Sequence, residues 1–208
     1  MVEISELIKI KNIQTKIDQI TEFIKKEVFE IYQKKGVVIG LSGGIDSAIT
    51  TALCSKSIGS EKILGLILPE KESDPNSENL AQQIANKYNI ETKTIDITNI
   101  LESFGVYENK EKIVKEKFSN YNEECKYRVV VPSKLENNIG MPLLEVLDDK
   151  NVLHKLKISS FDFLNLTAAT SIKHRVRMTM LYNYAEKNNF TVIGTTNKTE
   201  YLQGYFVK

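Results

Sequence analysis

Apolar positions along this chain follow two different periods. Ile10, Ile13, Ile17, Ile20, Ile24 and Val28 recur three or four residues apart, which predicts an amphipathic helix over about residues 4–33. Lys34-Lys35-Gly36 closes it with the basic, glycine-terminated end that helices favour. An isoleucine stripe of this kind serves core packing or a dimer seam. Four short apolar runs, at 37–41, 63–68, 92–97 and 191–195, read instead as strands. The first three alternate with helical segments, including 77–88. That βαβα rhythm predicts an α/β fold, a doubly wound parallel sheet of about five strands with helices on both faces. Between the third and fourth runs lie a charged segment, 107–117, expected as a solvated helix, and 127–132, a strand or extended stretch.

Composition narrows the class without naming a chemistry. At 208 residues, 41% hydrophobic and 26% charged, the chain reads as one globular domain with a full core. A net charge of +1 offers no global attraction to nucleic acid or to a membrane surface. No signal peptide or spanning run is visible, so a reducing cytoplasm is the expected setting. Cys54 and Cys125 are far apart and lack metal-type spacing, and Cys54 on the helix after the first strand reads as a small buried hydrophobe.

The chemistry begins where the first strand ends. Leu41-Ser42-Gly43-Gly44-Ile45-Asp46-Ser47 follows the run through Gly40 and leads into Ala48-Ile49-Thr50-Thr51-Ala52-Leu53, which suits a helix. A strand, a glycine turn and a helix start make an anion site. The glycines allow a tight turn with exposed N–H groups, and the helix N-terminus adds partial positive charge. Ser42 and Ser47 add hydroxyls, and Asp46 is a candidate metal ligand. The turn has no lysine and lacks Walker A spacing. A phosphate cradle of that kind points to attack at an α-phosphorus, with pyrophosphate held as the leaving group.

The Ser-Gly-Gly-x-Asp-Ser pattern resembles the pyrophosphate loop of the ATP pyrophosphatases. Two later motifs narrow the resemblance to NAD synthetases. Gly194-Thr195-Thr196-Asn197-Lys198-Thr199-Glu200, with Gly204-Tyr205-Phe206-Val207-Lys208, is similar to that family's Gly-Thr-x-Asn-Lys-Ser/Thr-Glu and Gly-Tyr-Phe-x-Lys signature. Ile172-Lys173-His174-Arg175-Val176-Arg177-Met178-Thr179-Met180-Leu181-Tyr182 is similar to its Asn-Ile-x-Ala-Arg-x-Arg-Met-x-x-Leu-Tyr segment.

The resemblance implies an adenine nucleotide alpha hydrolase-like fold and an ammonia-dependent, AMP-forming ligase. Its nicotinate carboxylate substrate, deamido-NAD, would be adenylated by ATP and then amidated to NAD. ATP contacts are then expected from Gly40, Leu41, Ser42, Gly43, Gly44, Asp46, Ser47, Leu68, Arg175, Thr195 and Glu200, with Asn197 a further polar contact. Asp46 and Glu200 would hold Mg²⁺ together with phosphate oxygens and water. Glu200 also suits a helix N-terminus on dipole grounds alone. Asp46, Lys198 and Arg177 are the expected catalytic residues. Arg175 and Arg177 stand two apart on a helix and cannot face the same way, so only one is expected in the site. Leu66 and Leu68 are candidates for lining adenosine, with core packing the competing role. The resemblance further implies a homodimer and ammonia supplied free or by a separate subunit.

Three departures qualify the acceptor. The stretch at 104–170 is longer than in compact members and is read as an insertion, Ser171 stands in place of the family's asparagine, and His174 in place of alanine. The family also continues past Lys208 with a Tyr-Gly-Asp-Gly turn and further helices, so the chain is expected to be truncated at its C-terminus. Two other functions stay open: an adenylating ligase for a different carboxylate, and a nucleotide-binding partner without catalysis.

Overall fold

The structure, a computed structural model, describes Ile10 and residues 12–122, 124–131, 141–204 and 206. The predicted first helix before Ile10, Pro132 of the 127–132 segment, and Tyr205, Val207 and Lys208 of the late motif lie outside the described residues. The first half of the chain runs α1 (Ile13–Lys26), β1 (Val37–Gly40), α2 (Ile45–Ile58), β2 (Ile63–Ile67), α3 (Pro75–Tyr88) and β3 (Glu91–Thr94). Then come α4 (Thr98–Ser103), α5 (Val106–Lys117), β4 (Lys126–Val130), β5 (Leu143–Leu147) and β6 (Leu153–Lys157). Helix α6 (Ser160–Asn188), β7 (Thr191–Ile193) and α7 (Lys198–Gln203) complete the order. Two compact units result: the chain through Ile97 together with Arg177–Phe206, and Thr98–Val176.

The first unit is built on a parallel sheet of order β3-β2-β1-β7. It has four strands among the described residues where the apolar pattern suggested about five. The 92–97 run pairs as a strand only over its first part, after which Ile95 and Ile97 donate to the carbonyls of Ile67 and Pro69 at 2.9 and 3.0 Å. Strands β1 and β2 are buried almost throughout, as the unbroken apolar runs require. Val37, Ile39 and Leu41 share one face, where they pack with Ile24 and Val28 near the end of α1, Cys54 and Ile58 of α2, and Ala81 and Ala85 of α3. Gly40 turns to the other face, where Leu181 of α6 stands 3.5 Å from the place a Cβ would occupy. Helices therefore cover both faces. Burial pushes the Cys54 thiol up to about 12, so it stays protonated and packs as a small hydrophobe.

The first helix ends differently from its sequence pattern. Its last turn widens to a π-helical Glu27–Ile31, and Gln33, with φ of 51°, makes the left-handed exit in place of Lys34-Lys35-Gly36. Gly36 is small for another reason: a Cβ there would stand 2.8 Å from the ring of Phe190.

In the second unit, β4, β5 and β6 form an antiparallel sheet of that order, and the segment read as an insertion lies within this unit. Leu144 and Val146 of β5 point to a core shared with Val114, Cys125, Ile158 and Leu166. Helix α5 is not simply solvated, because Val106, Lys110 and Val114, four apart, are buried. A lysine in that stripe hides it from an apolar count, and its ammonium lies 5.4 Å from the Tyr127 ring centre. On the other face of the sheet, Glu145 sits between Arg128 and Lys155 at 2.7 and 3.3 Å, directly cross-strand. No described helix is long and apolar enough to cross a membrane.

Three carboxylates of this unit titrate below their usual range. A hydrogen bond from Arg128 lowers Glu145, one from His154 lowers Asp148, and those from Ser159 and Lys117 lower Asp162. Groups lowered in the folded state stabilise it above the ordinary carboxylate pKa, and that stability disappears as pH falls through the lowered value. Melting temperature is therefore expected to stay flat from neutrality to about pH 5 and to fall below about pH 4. Asp148→Asn keeps an oxygen for the Lys150 and Val152 amides but removes the charge facing His154. It should shallow the acid limb in thermal melts followed by circular dichroism, and an unchanged limb would assign the loss to the other carboxylates.

A second expectation concerns the glycine turn after β1. Gly43 has φ of 78°, and a Cβ there would stand 2.6 Å from the Ser77 carbonyl oxygen and 2.8 Å from Leu80 Cβ. Gly44 is extended, with only Ser42 Oγ near its Cβ position, at 3.3 Å. Gly43→Ala should cost at least about 1–2 kcal/mol from the left-handed backbone alone. Gly44→Ala, a helix N-cap change, should cost about 1 kcal/mol at most. Urea unfolding of the two variants checks the difference.

Candidate functional site

The order β3-β2-β1-β7 reverses direction at β1, since the chain moves outward through β2 and β3 and returns beyond β1 to lay down β7. Ligands of open α/β sheets bind beyond the carboxyl ends of the strands at such a point. The two loops that leave β1 and β7 there are 41–44 and 194–197, the very segments that carry the first and last motifs. Parallel pairing of Val37 with Thr191, Val38 with Val192 and Ile39 with Ile193 sets them side by side.

The first loop is shaped by its own hydroxyls. Ser47, buried, donates its Oγ hydrogen to the Gly44 carbonyl at 2.9 Å and lies 3.3 Å from Ser42 Oγ. Gly44 N–H donates to Ser42 Oγ at 3.2 Å, and Thr51 Oγ1 ties the next turn to the Ser47 carbonyl at 2.8 Å. Leu41 is buried and its N–H extends the ladder to the Leu66 carbonyl. Ser42 and Gly44 are exposed, Gly43 and Asp46 half-buried. Gly44 caps α2 without a side chain, so the first turn of that helix receives no side-chain acceptor from its cap. Gly43 lets α3 come close, while Gly44 leaves the outer side of the turn open to a ligand.

The second loop ends in a short capped helix. Asn197 Oδ1 accepts from Glu200 N–H at 3.0 Å, and Glu200 Oε2 accepts from Asn197 N–H at 2.9 Å, a reciprocal capping box. Asn197 Nδ2 also donates to Asp46 Oδ2 at 3.5 Å, a contact across 151 positions of sequence. The two candidate acids thus share one rim, both half-buried, with the asparagine between them. Thr195 is half-buried beside them in sequence, and Lys198 is exposed at the first position of α7. The Asn-x-x-Glu spacing announces the capping box in the sequence, but nothing there announces its link to Asp46.

The end of β2 contributes a third, well-braced segment. Glu70, buried, accepts at Oε2 from the Glu72 N–H, while its own N–H donates to Ser73 Oγ and its carbonyl accepts from the Ser73 N–H. Arg177 Nε donates to the Leu68 carbonyl at 3.2 Å, which anchors a half-buried guanidinium at this edge of the sheet. Arg175 is exposed and belongs to the other unit, as do Ser171 and His174. Leu66 and Leu68 are both buried. The brace formed by Glu70 and Ser73 carries no motif and escapes sequence reading.

Asp46 and Glu200 are the two carboxylates linked through Asn197, and no cluster of three or more His, Cys, Asp or Glu side chains suited to a metal occurs among the described residues. Mg²⁺ is bound in this way, by one or two carboxylates, when phosphate oxygens and water complete its octahedron. The donor chemistry of the pair fits that ion.

A family model for NAD synthase matches residues 16–144 and 134–208. An NH₃-dependent NAD⁺ synthetase of Mesorhizobium japonicum is 33% identical over 196 residues, covering 94% of this chain and 61% of that protein. Among solved structures, the NH₃-dependent NAD synthetase of Campylobacter jejuni, in complex with nitrate, superposes with a TM-score of 0.62 at 26% identity, over 95% of this chain and 62% of the other. The NMN synthetase of Francisella tularensis gives 0.62 at 25% identity, over 94% and 59%. The chain thus spans about three fifths of the length of these relatives. The match runs through the loop after β1, the arginine helix and the loop after β7, so the segments that meet at the switch point are those the family model covers: the chain belongs to the NAD synthase family.

Proposed function

We propose that the chain catalyses ATP-dependent, AMP-forming amidation of deamido-NAD. The observation that carries this reading is the meeting of the glycine loop and the Asn197–Glu200 turn at one switch point, with Asp46 and Glu200 on a common rim. In the first step a nicotinate carboxylate oxygen attacks the α-phosphorus of ATP. The bond to the bridging oxygen breaks and pyrophosphate leaves. In the second step ammonia attacks the acyl carbon, AMP departs and a proton is lost to solvent.

The residues of this chain bind, orient and balance charge. Backbone N–H groups of Gly43 and of the first turn of α2 face the leaving pyrophosphate, with Gly40, Leu41, Ser42, Gly44 and Ser47 keeping the loop in shape. Asp46 and Glu200 would hold Mg²⁺, which lowers the charge on the phosphates and on the leaving oxygen. Arg177, fixed by Leu68, and exposed Lys198 supply further positive charge, while Leu68 and Thr195 border the nucleotide. The family resemblance supports a cytoplasmic homodimer that takes ammonia free or from a separate subunit.

A second reading has its own support. The similarity to an NMN synthetase equals that to a NAD synthetase in TM-score, and Ser171 replaces the family's asparagine beside the arginine segment. The acceptor would then be nicotinate mononucleotide, amidated by the same two steps.

Pyrophosphate release from ATP and Mg²⁺ with ammonium, assayed with either acceptor, is the direct test. Release that requires deamido-NAD and yields NAD supports the first reading, and release that requires the mononucleotide moves the substrate to the second. Release with neither acceptor, or none at all, contradicts both. Asp46→Ala and Glu200→Gln should each reduce acceptor-dependent release at least a hundredfold, the upper range for losing an electrostatic partner of the transition state (~10²–10³). Glu200→Gln retains an oxygen for Asn197 N–H, so its loss is not a loss of the helix cap. Gly44→Val should abolish ATP binding in titration calorimetry while the protein stays folded, and unchanged affinity would remove the loop from the phosphate site.

A further inference from the structure

We infer that Asn197 is a positioning residue that sets the two carboxylates, Asp46 and Glu200, in register for a divalent cation. The inference rests on the metal reading given above. Asn197 lies at the N-cap of α7, and a plain N-cap needs one side-chain oxygen only. This residue does more. Its Oδ1 accepts from the Glu200 N–H, its own N–H donates to Glu200 Oε2, and its Nδ2 reaches Asp46 Oδ2 on the first turn of α2.

Each polar atom of the side chain therefore has a protein partner, one toward each acid. Two carboxylates facing one rim without a cation repel each other, and a neutral amide that donates to one while bonded to the other's turn offsets that repulsion. Aspartate at 197 would cap the helix equally well but would face Asp46 with a third negative charge. Serine would cap it and fall short of Asp46. Among residues that make good caps, asparagine alone carries its acceptor oxygen and its donor on separate atoms, so it can cap the helix and donate to Asp46 at once. Outer contacts of this kind orient metal ligands, and their removal costs 10–100-fold in metal affinity. At 3.5 Å the link to Asp46 is at the long end of a hydrogen bond, which places the expected effect at the lower end, about tenfold.

The test measures Mn²⁺ binding by electron paramagnetic resonance in the presence of a non-hydrolysable ATP analogue. It compares the wild type with Asn197→Ser, Asn197→Ala and Asp46→Asn, each also followed by thermal melting. Asn197→Ser retains the cap and loses only the Asp46 contact. It should melt like the wild type yet bind Mn²⁺ about tenfold more weakly. Asn197→Ala should match it in Mn²⁺ binding and melt at lower temperature.

Wild-type Mn²⁺ affinity in Asn197→Ser would reduce the residue to a helix cap and overturn the inference. So would an unchanged Mn²⁺ affinity combined with weaker binding of the analogue, which would make Asn197 a nucleotide contact. Asp46→Asn separates the two levels. If it abolishes Mn²⁺ binding while Asn197→Ser leaves it intact, only this inference falls. If Asp46→Asn binds Mn²⁺ normally, the metal reading falls as well.

Discussion

Everything at the candidate site depends on three residue pairs of parallel sheet, Val37 with Thr191, Val38 with Val192 and Ile39 with Ile193. They join segments more than 150 positions apart, and without them the two loops that carry the chemistry have no reason to meet. The strength of the join comes from burial more than from its hydrogen bonds. Val37, Val38 and Ile39 are wholly removed from water, and each buried aliphatic side chain contributes roughly 1.5–3 kcal/mol. A backbone hydrogen bond adds about 1 kcal/mol net. The apolar core under the sheet thus determines where the polar residues above it stand.

The division of labour between the two central glycines follows from the same constraint. One is needed because α3 packs against the turn and the backbone must be left-handed there; the other because the outer side of the turn must stay clear. A sequence motif treats them alike, yet one answers to the fold and the other to a ligand. Ser42 and Ser47 divide similarly: Ser47 spends its hydroxyl hydrogen inside the loop, while Ser42 remains at the surface.

Much of the first unit was legible in the sequence because its central strands β1 and β2 are buried on both faces and so appear as unbroken apolar runs. The glycine turn was legible because few other structures need two glycines between a buried strand and a helix. Of the second unit the 107–117 helix and the strand at the start of 127–132 were legible, whereas β5 and β6 were not, and the helix hides a buried lysine at a core position. Lys110 counts as polar in any pattern, although its ammonium lies against an aromatic ring and its stem packs inside. The residue register of β1 on β7 and the Asn197–Asp46 contact were out of reach for a simpler reason. Both are facts about residues distant along the chain, and periodicity reports only on neighbours.

The placement of β7 also has a consequence for how the protein comes into being. During synthesis β1, β2 and β3 emerge early, and β1 must wait with one hydrogen-bonding edge open until some 150 further residues have been made. That edge is short and entirely apolar, the kind of surface that recruits stray strands from other chains. Contacts of such long range form slowly, because the loop between them must close first. The candidate site is therefore completed only when β7 arrives, and the nascent chain is exposed to aggregation through β1 in the interval before it.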